Sequence, residues 1–416
     1  MTLIPNRRVP GRGVAVAQVS LGLSLLAVGA LASVGCGRET LIGIDVPPVG
    51  TGGRHASGSG GTFGPGSGGT FGPGSGGTFG PGSGGSIGSG SGGTIGTGAS
   101  CSTVSLTPGT VNPCGPTSGA AFSPDGTLLA TATRNESSPN VHVWQVCDGK
   151  LLYEVPQTSG VYNVAFSPDG KLLAAGGLAP LLGGGAAESN GAAVFQAATG
   201  ALVATLPTHS GSYVSAVAFS HDGTRLVTAG AQSFIDVWNV ADWSELLAIP
   251  TLSPESIYEV DFSPDDSRFV TSGTSTVNHI LRTSDGTQVA QIPNVFSEMN
   301  RATYSPNGQL ILSDAGAGQL QLLDANATVL QVMTFNPPSG DLIPIGKAAW
   351  IDDSRFVADD WSGKVEEWSK DPAQPQGPFS LTRTWMMPSQ AWGIAVAPDH
   401  QSFVVTGNFG FEVLAP

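Results

Sequence analysis

The sequence predicts an all-β protein, a seven-bladed β-propeller of four-stranded antiparallel blades behind a long disordered N-terminal region. Three observations carry this. The string Phe122-Ser123-Pro124-Asp125-Gly126 returns as Phe166-Ser167-Pro168-Asp169-Gly170, with looser copies starting at Phe219, Phe262 and Tyr304 and worn ones at Trp350 and Val396. Successive copies stand 44, 53, 43, 42, 46 and 46 residues apart, close to the period of roughly 40–45 residues that four-stranded blades require. Around each string the apolar residues alternate as in half-buried strands.

The chain starts differently. Residues 1–13 hold Arg7, Arg8 and Arg12 with no acid, and Val14–Val34 is almost wholly apolar. A basic start, an apolar run and small residues ahead of a cut site make an export signal over residues 1–35. The run ends at Ala32-Ser33-Val34-Gly35-Cys36, which resembles a bacterial lipoprotein signal with Cys36 as the lipidated residue. That resemblance implies a membrane attachment through Cys36, and Gly37 after it points to the outer membrane. Ser33 stands where such signals favour Leu, which leaves open cleavage after Ala32, giving a secreted or periplasmic soluble protein, or an uncleaved span of about 20 residues.

Residues 36–100 read as a flexible tether. Phe63, Phe71, Phe79, Ile87 and Ile95 recur every 8 residues in a Gly/Ser/Thr background. One apolar side chain per repeat cannot offset the entropy of ordering the backbone. Gly84-Gly85-Ser86-Ile87-Gly88 and Gly64-Pro65-Gly66-Ser67-Gly68-Gly69 match a nucleophile elbow and a dinucleotide fingerprint by letter. Neither stands between a strand and a helix, so both follow from glycine abundance.

Residues 101–416 form the propeller. They carry 12 Lys and Arg against 29 Asp and Glu, an excess of negative charge that disfavours nucleic acid. Cys101, Cys114 and Cys147 are an odd set, and one bridge with one free thiol is expected in an oxidising compartment. No ligand spacing for a metal appears, and no cofactor is expected.

Within a blade, Pro sets φ at the first turn position, Asp bonds back to the backbone and Gly accepts positive φ. A polar loop follows, then a third strand that carries Trp144, Trp238 or Trp368 in three blades, and a fourth after a second turn. These features resemble the WD40 repeat family over residues 102–416. The resemblance implies a rigid scaffold for partner binding. The Asp that usually follows the Trp is Gln145, Asn239 or Ser369, and His209 alone represents the usual Gly-His pair. The hydrogen-bonded network of typical members is therefore expected to be absent, with apolar packing in its place. The last blade is one strand short at Pro416, so the strand-like segment 102–107 is expected to pair with it and close the ring.

Function is expected on the rim that receives the loops between second and third strands and those entering each first strand. Blade 2 is longest, the excess being Leu178–Asn190 with Leu181 and Leu182. The same rim takes Arg134, Asn135, His209, Tyr213, Asp359, Asp360 and Trp361. Asp359-Asp360 is a candidate for a cation or basic ligand, against the plainer reading of solvated turn acids. The tryptophans of the third strands are read as wedges between blades. The inner strands Gly119–Phe122, Tyr162–Phe166 and Val214–Phe219 are mainly small and apolar, which counts against a propeller hydrolase, lyase or quinone-dependent dehydrogenase. The expected role is a monomeric module that binds a protein, a peptide or an envelope glycan, with a purely structural surface protein as the other alternative.

Overall fold

The computed structural model describes residues 116–133, 141–155, 160–177, 191–209, 213–231, 234–251, 256–294, 301–316, 318–335 and 343–416. They form seven antiparallel sheets whose strands follow chain order, six with four strands and the last with three among the described residues. The innermost strands are Thr117–Phe122, Val161–Phe166, Val214–Phe219, Ile257–Phe262, Ala302–Tyr304, Ile345–Asp352 and Ala391–Val396. Each packs on the next, and the last returns to the first. The wheel is a seven-bladed propeller. Segment 102–107, expected to complete blade 7, lies outside the described residues, as do the export signal, Cys36 and the tether.

The core explains the closure. It divides into seven apolar clusters, each shared by two neighbouring blades. The seam between blades 7 and 1 gathers Leu129, Trp144 and Val146 against Val404, Phe411 and Val413. Trp144 meets Phe411 edge-on at 5.6 Å. Trp238 is likewise buried between blades 2 and 3, and Trp368 packs partly buried between blades 5 and 6. The wedge reading of these residues therefore matches their positions.

The hairpin string has two tasks. Within a blade, Ser123 Oγ donates to Asp125 Oδ1 at 2.6 Å and accepts from Leu128 N–H at 2.9 Å. Ser167, Ser220, Ser263 and Ser305 repeat the pattern. The fifth position keeps a left-handed backbone, with φ +69° at Gly126 and +70° at Gly170, Gly223 and Gly308. Asp266 and His400 hold the same conformation at φ 56° and 59°, a strain that short polar side chains tolerate. Between blades, a Cβ on Gly170 would stand 3.6 Å from the Pro124 ring, and one on Gly126 3.7 Å from Pro398. Each turn thus abuts the turn of the preceding blade.

Cys147 is disulfide-bonded. Its partner lies outside the described residues.

Candidate functional site: the channel mouth

The hairpins occupy one face of the wheel, and the beginnings of the inner strands open the other. There a narrow cleft is lined from all seven blades, by Ser118 to Ala120, Tyr162, Asn163, Ser215, Tyr258, Arg301, Lys347, Gly393 and Ile394. In five of the seven blades the register explains who lines it; blades 3 and 4 present Ser215 and Tyr258 instead. The residue three places before the first residue of each hairpin string is Gly119, Asn163, Ala216, Glu259, Arg301, Lys347 and Gly393 in turn. Three consecutive blades therefore place charge at one height of the channel wall.

Glu259 joins them. Its Oε1 lies 2.8 Å from Lys347 Nζ and its Oε2 lies 3.6 Å from Arg301 Nη1. The carboxylate side chain is only 9% exposed, whereas the Lys347 and Arg301 side chains retain 21% and 14%. Two partly open cations share one buried acid, and both keep some exposure at this point of the mouth.

Aromatic groups border the cations. Tyr162 and Tyr213 stack with centroids 5.1 Å apart, and the Tyr213 hydroxyl stands 3.5 Å from Ser256 Oγ. Burial, and next the hydrogen bond with Tyr213, push the Tyr258 hydroxyl up to about 12, so it stays protonated and able to donate. The cavity measures only about 10 Å³, room for about one water molecule. The mouth is polar and aromatic but does not enclose a ligand.

The rim residues singled out from sequence separate. Tyr213 joins the mouth. Asp359 and Asp360 are not solvated turn acids: they end the strand Arg355–Asp360 at 0% and 1% exposure. Asp359 Oδ1 accepts from Lys347 N–H. Burial drives its carboxyl up to about 7, against the opposing pull of that hydrogen bond and of Arg301. Asp360 Oδ1 accepts from Ser362 N–H and Oγ and from Lys364 N–H, at 2.9, 2.6 and 3.0 Å. Both acids brace the wall and are closed to an outside ligand. Trp361 is half-buried beside them. His209 stands elsewhere, over the outer strands of blade 3. Arg134, Asn135, Leu181 and Leu182 lie outside the described residues.

The blades are not held by apolar packing alone, as the sequence led us to expect. Trp144 Nε1 donates to Thr131 Oγ1 and Trp238 Nε1 to Thr228 Oγ1, each at 3.0 Å. Trp368 Nε1 donates to Glu366 Oε2 at 3.1 Å, and Glu366 also pairs with Lys364. The polar residue two places before the Trp lies on the same face of its strand and is His142, Asp236 or Glu366. His142 Nε2 is 3.6 Å from Glu154 Oε1, but burial pulls the imidazole down to about 4, and we read the contact as one with a neutral ring.

A second cavity of about 100 Å³ lies between the outer strands of blades 3 and 4, against Ile235, Ile249, Ile257 and Leu281. Its walls are mainly apolar, and His279 there is already engaged with Gln288 at 2.8 Å.

Comparison with known proteins agrees with this architecture. The WD40 family (WD domain, G-beta repeat) matches residues 149–178 and 200–239. No curated protein matches the chain. A solved structure described as "Structure of U3-55K" superposes with a TM-score of 0.61 at 16% identity, covering 73% of this chain and 96% of that one. At such identity the likeness concerns fold alone, and 1869 chains of solved structures match, so the wheel is too widely shared to name a task. The repeat match and the seven blades together support a WD40-like β-propeller over the described residues.

Proposed function

We propose that the propeller is a non-enzymatic interaction scaffold that holds a protein segment across the channel mouth. The observation that carries this is the pairing of a mouth lined from all seven blades with a cavity of about 10 Å³. A small substrate needs a pocket of roughly 300 Å³ or more, whereas a peptide needs only contacts laid side by side. Stacked Tyr162 and Tyr213 offer a flat apolar surface, and Arg301 and Lys347 offer charge to an acidic side chain or a C-terminal carboxylate. An envelope glycan could use the same stacked rings, but the paired cations favour an acidic peptide.

The display of this scaffold in a bacterial envelope is part of the proposal and rests on sequence alone. Arg7, Arg8 and Arg12, the apolar run and Cys36 support export and lipid attachment, with residues 36–100 as the tether. Mass spectrometry of the mature N-terminus tests it: acyl chains on Cys36 are expected, and an unmodified cysteine in the envelope fraction would count against the anchor.

The binding surface is tested with a photo-crosslinking residue at Tyr162 of the full chain, and in a control at Leu330 on the exposed edge of blade 5. A discrete protein adduct is expected from position 162 alone. It should vanish when Arg301 and Lys347 are replaced by Ser. Equal yields from both positions, or adducts indifferent to the two cations, would remove the mouth from consideration.

A further inference from the structure

We propose that His209, Asp236 and Glu245 form a binding site for one divalent transition-metal ion of the zinc type. The three residues come from separate places in the chain. His209 follows the outer strand Leu202–Pro207 of blade 2. Asp236 lies within the third strand of blade 3, Phe234–Asn239, and Glu245 begins its outer strand, Glu245–Pro250. The fold brings one ligand atom from each within 4.8 Å of the other two.

The distances fit coordination. His209 Nε2 is 3.1 Å from Glu245 Oε1 and 3.4 Å from Asp236 Oδ1. Zinc bonds to imidazole nitrogen and carboxylate oxygen are about 2.0–2.2 Å, so neighbouring ligands at the corners of a tetrahedron stand about 3.3 Å apart. A ring nitrogen has one in-plane orbital, holding either a proton or a lone pair, and here it faces two carboxylate oxygens. A single N–H points well at one of them. A cation on the lone-pair axis reaches both.

Burial and access agree with this. The Asp236 side chain has no exposed surface, and a buried carboxylate is kept by hydrogen bonds, an ion pair or a metal ion. The side chains of His209 and Glu245 are 38% and 33% exposed, which leaves the outer side open for the ion to enter and for water to complete its shell. The His209 ring rests against Phe234 with centroids 4.9 Å apart, so little freedom is lost on binding. A donor set of one imidazole and two carboxylates suits zinc better than magnesium or calcium, which take oxygen alone. The ion would tie the segment entering blade 3 to that blade's two outermost strands.

The rival arrangement is an imidazolium shared between the two acids, and titration separates them. The full chain, stripped with chelator, is titrated with zinc chloride by calorimetry, and with cobalt chloride followed by visible absorption. One ion per chain is expected, with the intense visible bands of four-coordinate cobalt and a raised melting temperature. His209→Ala and Glu245→Gln should each weaken zinc binding more than about tenfold, with circular dichroism unchanged. Both side chains are partly exposed, so neither variant should unfold the blade. The absence of a binding isotherm, or zinc affinity unmoved in both variants, overturns the site in favour of the ion pair.

Discussion

The channel wall has two halves that join their blades by different means. In blades 7, 1, 2 and 3 it is built from small or neutral residues, and backbones approach closely. Ser118 Oγ donates to Val161 O at 2.7 Å, and Ser215 Oγ to Ile257 O at 2.5 Å. A Cβ on Gly119 would stand 3.0 Å from Tyr162 O, tighter than most side chains accept. In blades 4 to 6 the joins are ionic or charge-assisted. Glu259 bridges to Arg301 and Lys347, and Asp261 Oδ2 accepts from Tyr304 N–H at 2.7 Å and Thr303 Oγ1 at 2.9 Å. The neutral half gains stability from proximity of chain to chain. The charged half keeps its blades together with groups that can also meet a partner, so structure and binding are coupled there and separate elsewhere.

The largest test of this contrast falls on the neutral half, which contains the seam of the ring. Deleting residues 101–108 should lower the melting temperature by roughly 10 °C or more if their strand completes blade 7. An unchanged melt would mean that the cluster around Trp144 and Phe411 closes the wheel unaided. The next effect concerns the charged half. Glu259→Ala leaves two cations facing each other across a partly buried gap and should cost about 3 kcal/mol in denaturant unfolding. A cost below about 1 kcal/mol, typical of exposed pairs, would dissolve the distinction between the halves.

The smallest effect is a dependence on pH. Asp359 titrates near 7 in the fold against 3.8 for the free side chain. The folded state therefore favours the protonated carboxyl, and that contribution is lost as pH rises through 7. Relative to wild type, Asp359→Asn should gain about 2 kcal/mol between pH 5 and pH 8. His142 works in the opposite sense: its imidazole titrates near 4 against 6.5, so its contribution is present above 6.5 and lost as pH falls toward 4. It is common to both proteins and cancels in the difference. A gain that stays flat with pH would show the carboxyl to be ionised in the fold.

Much of the wheel was legible in the residues because its hairpins carry unusual chemistry. Phe-Ser-Pro-Asp-Gly marks the first turn of a blade even where it decays to Tyr304-Ser305-Pro306-Asn307-Gly308. The channel mouth was not legible in the same way. The small inner strands of blades 1 to 3 are a poor sample of a wall whose other side carries Glu259, Arg301 and Lys347. Counting three places back from the first residue of each hairpin string would have found all three, although in blade 3 that position is Ala216, which packs in the core between blades 3 and 4. Asp359 and Asp360 look like turn acids by composition. Only the strand pairing of Asp359 with Val365 and the packing around it reveal that they are enclosed.

The abutting turns also limit how freely the blades can be exchanged. Where blade 3 has His221 in place of proline, blade 4 has Asp266 in place of glycine, and the pair forms a bond in compensation. His221 Nδ1 lies 2.9 Å from Asp266 Oδ1, and the His221 and Asp222 N–H groups donate to the same carboxylate at 2.8 Å each. Each hairpin is thus half of a mortise whose tenon belongs to the following unit. A chimera that transplants blade 3 without its neighbour would set a histidine against a bare glycine, so the transferable cassette is a junction of two blades and not a single repeat.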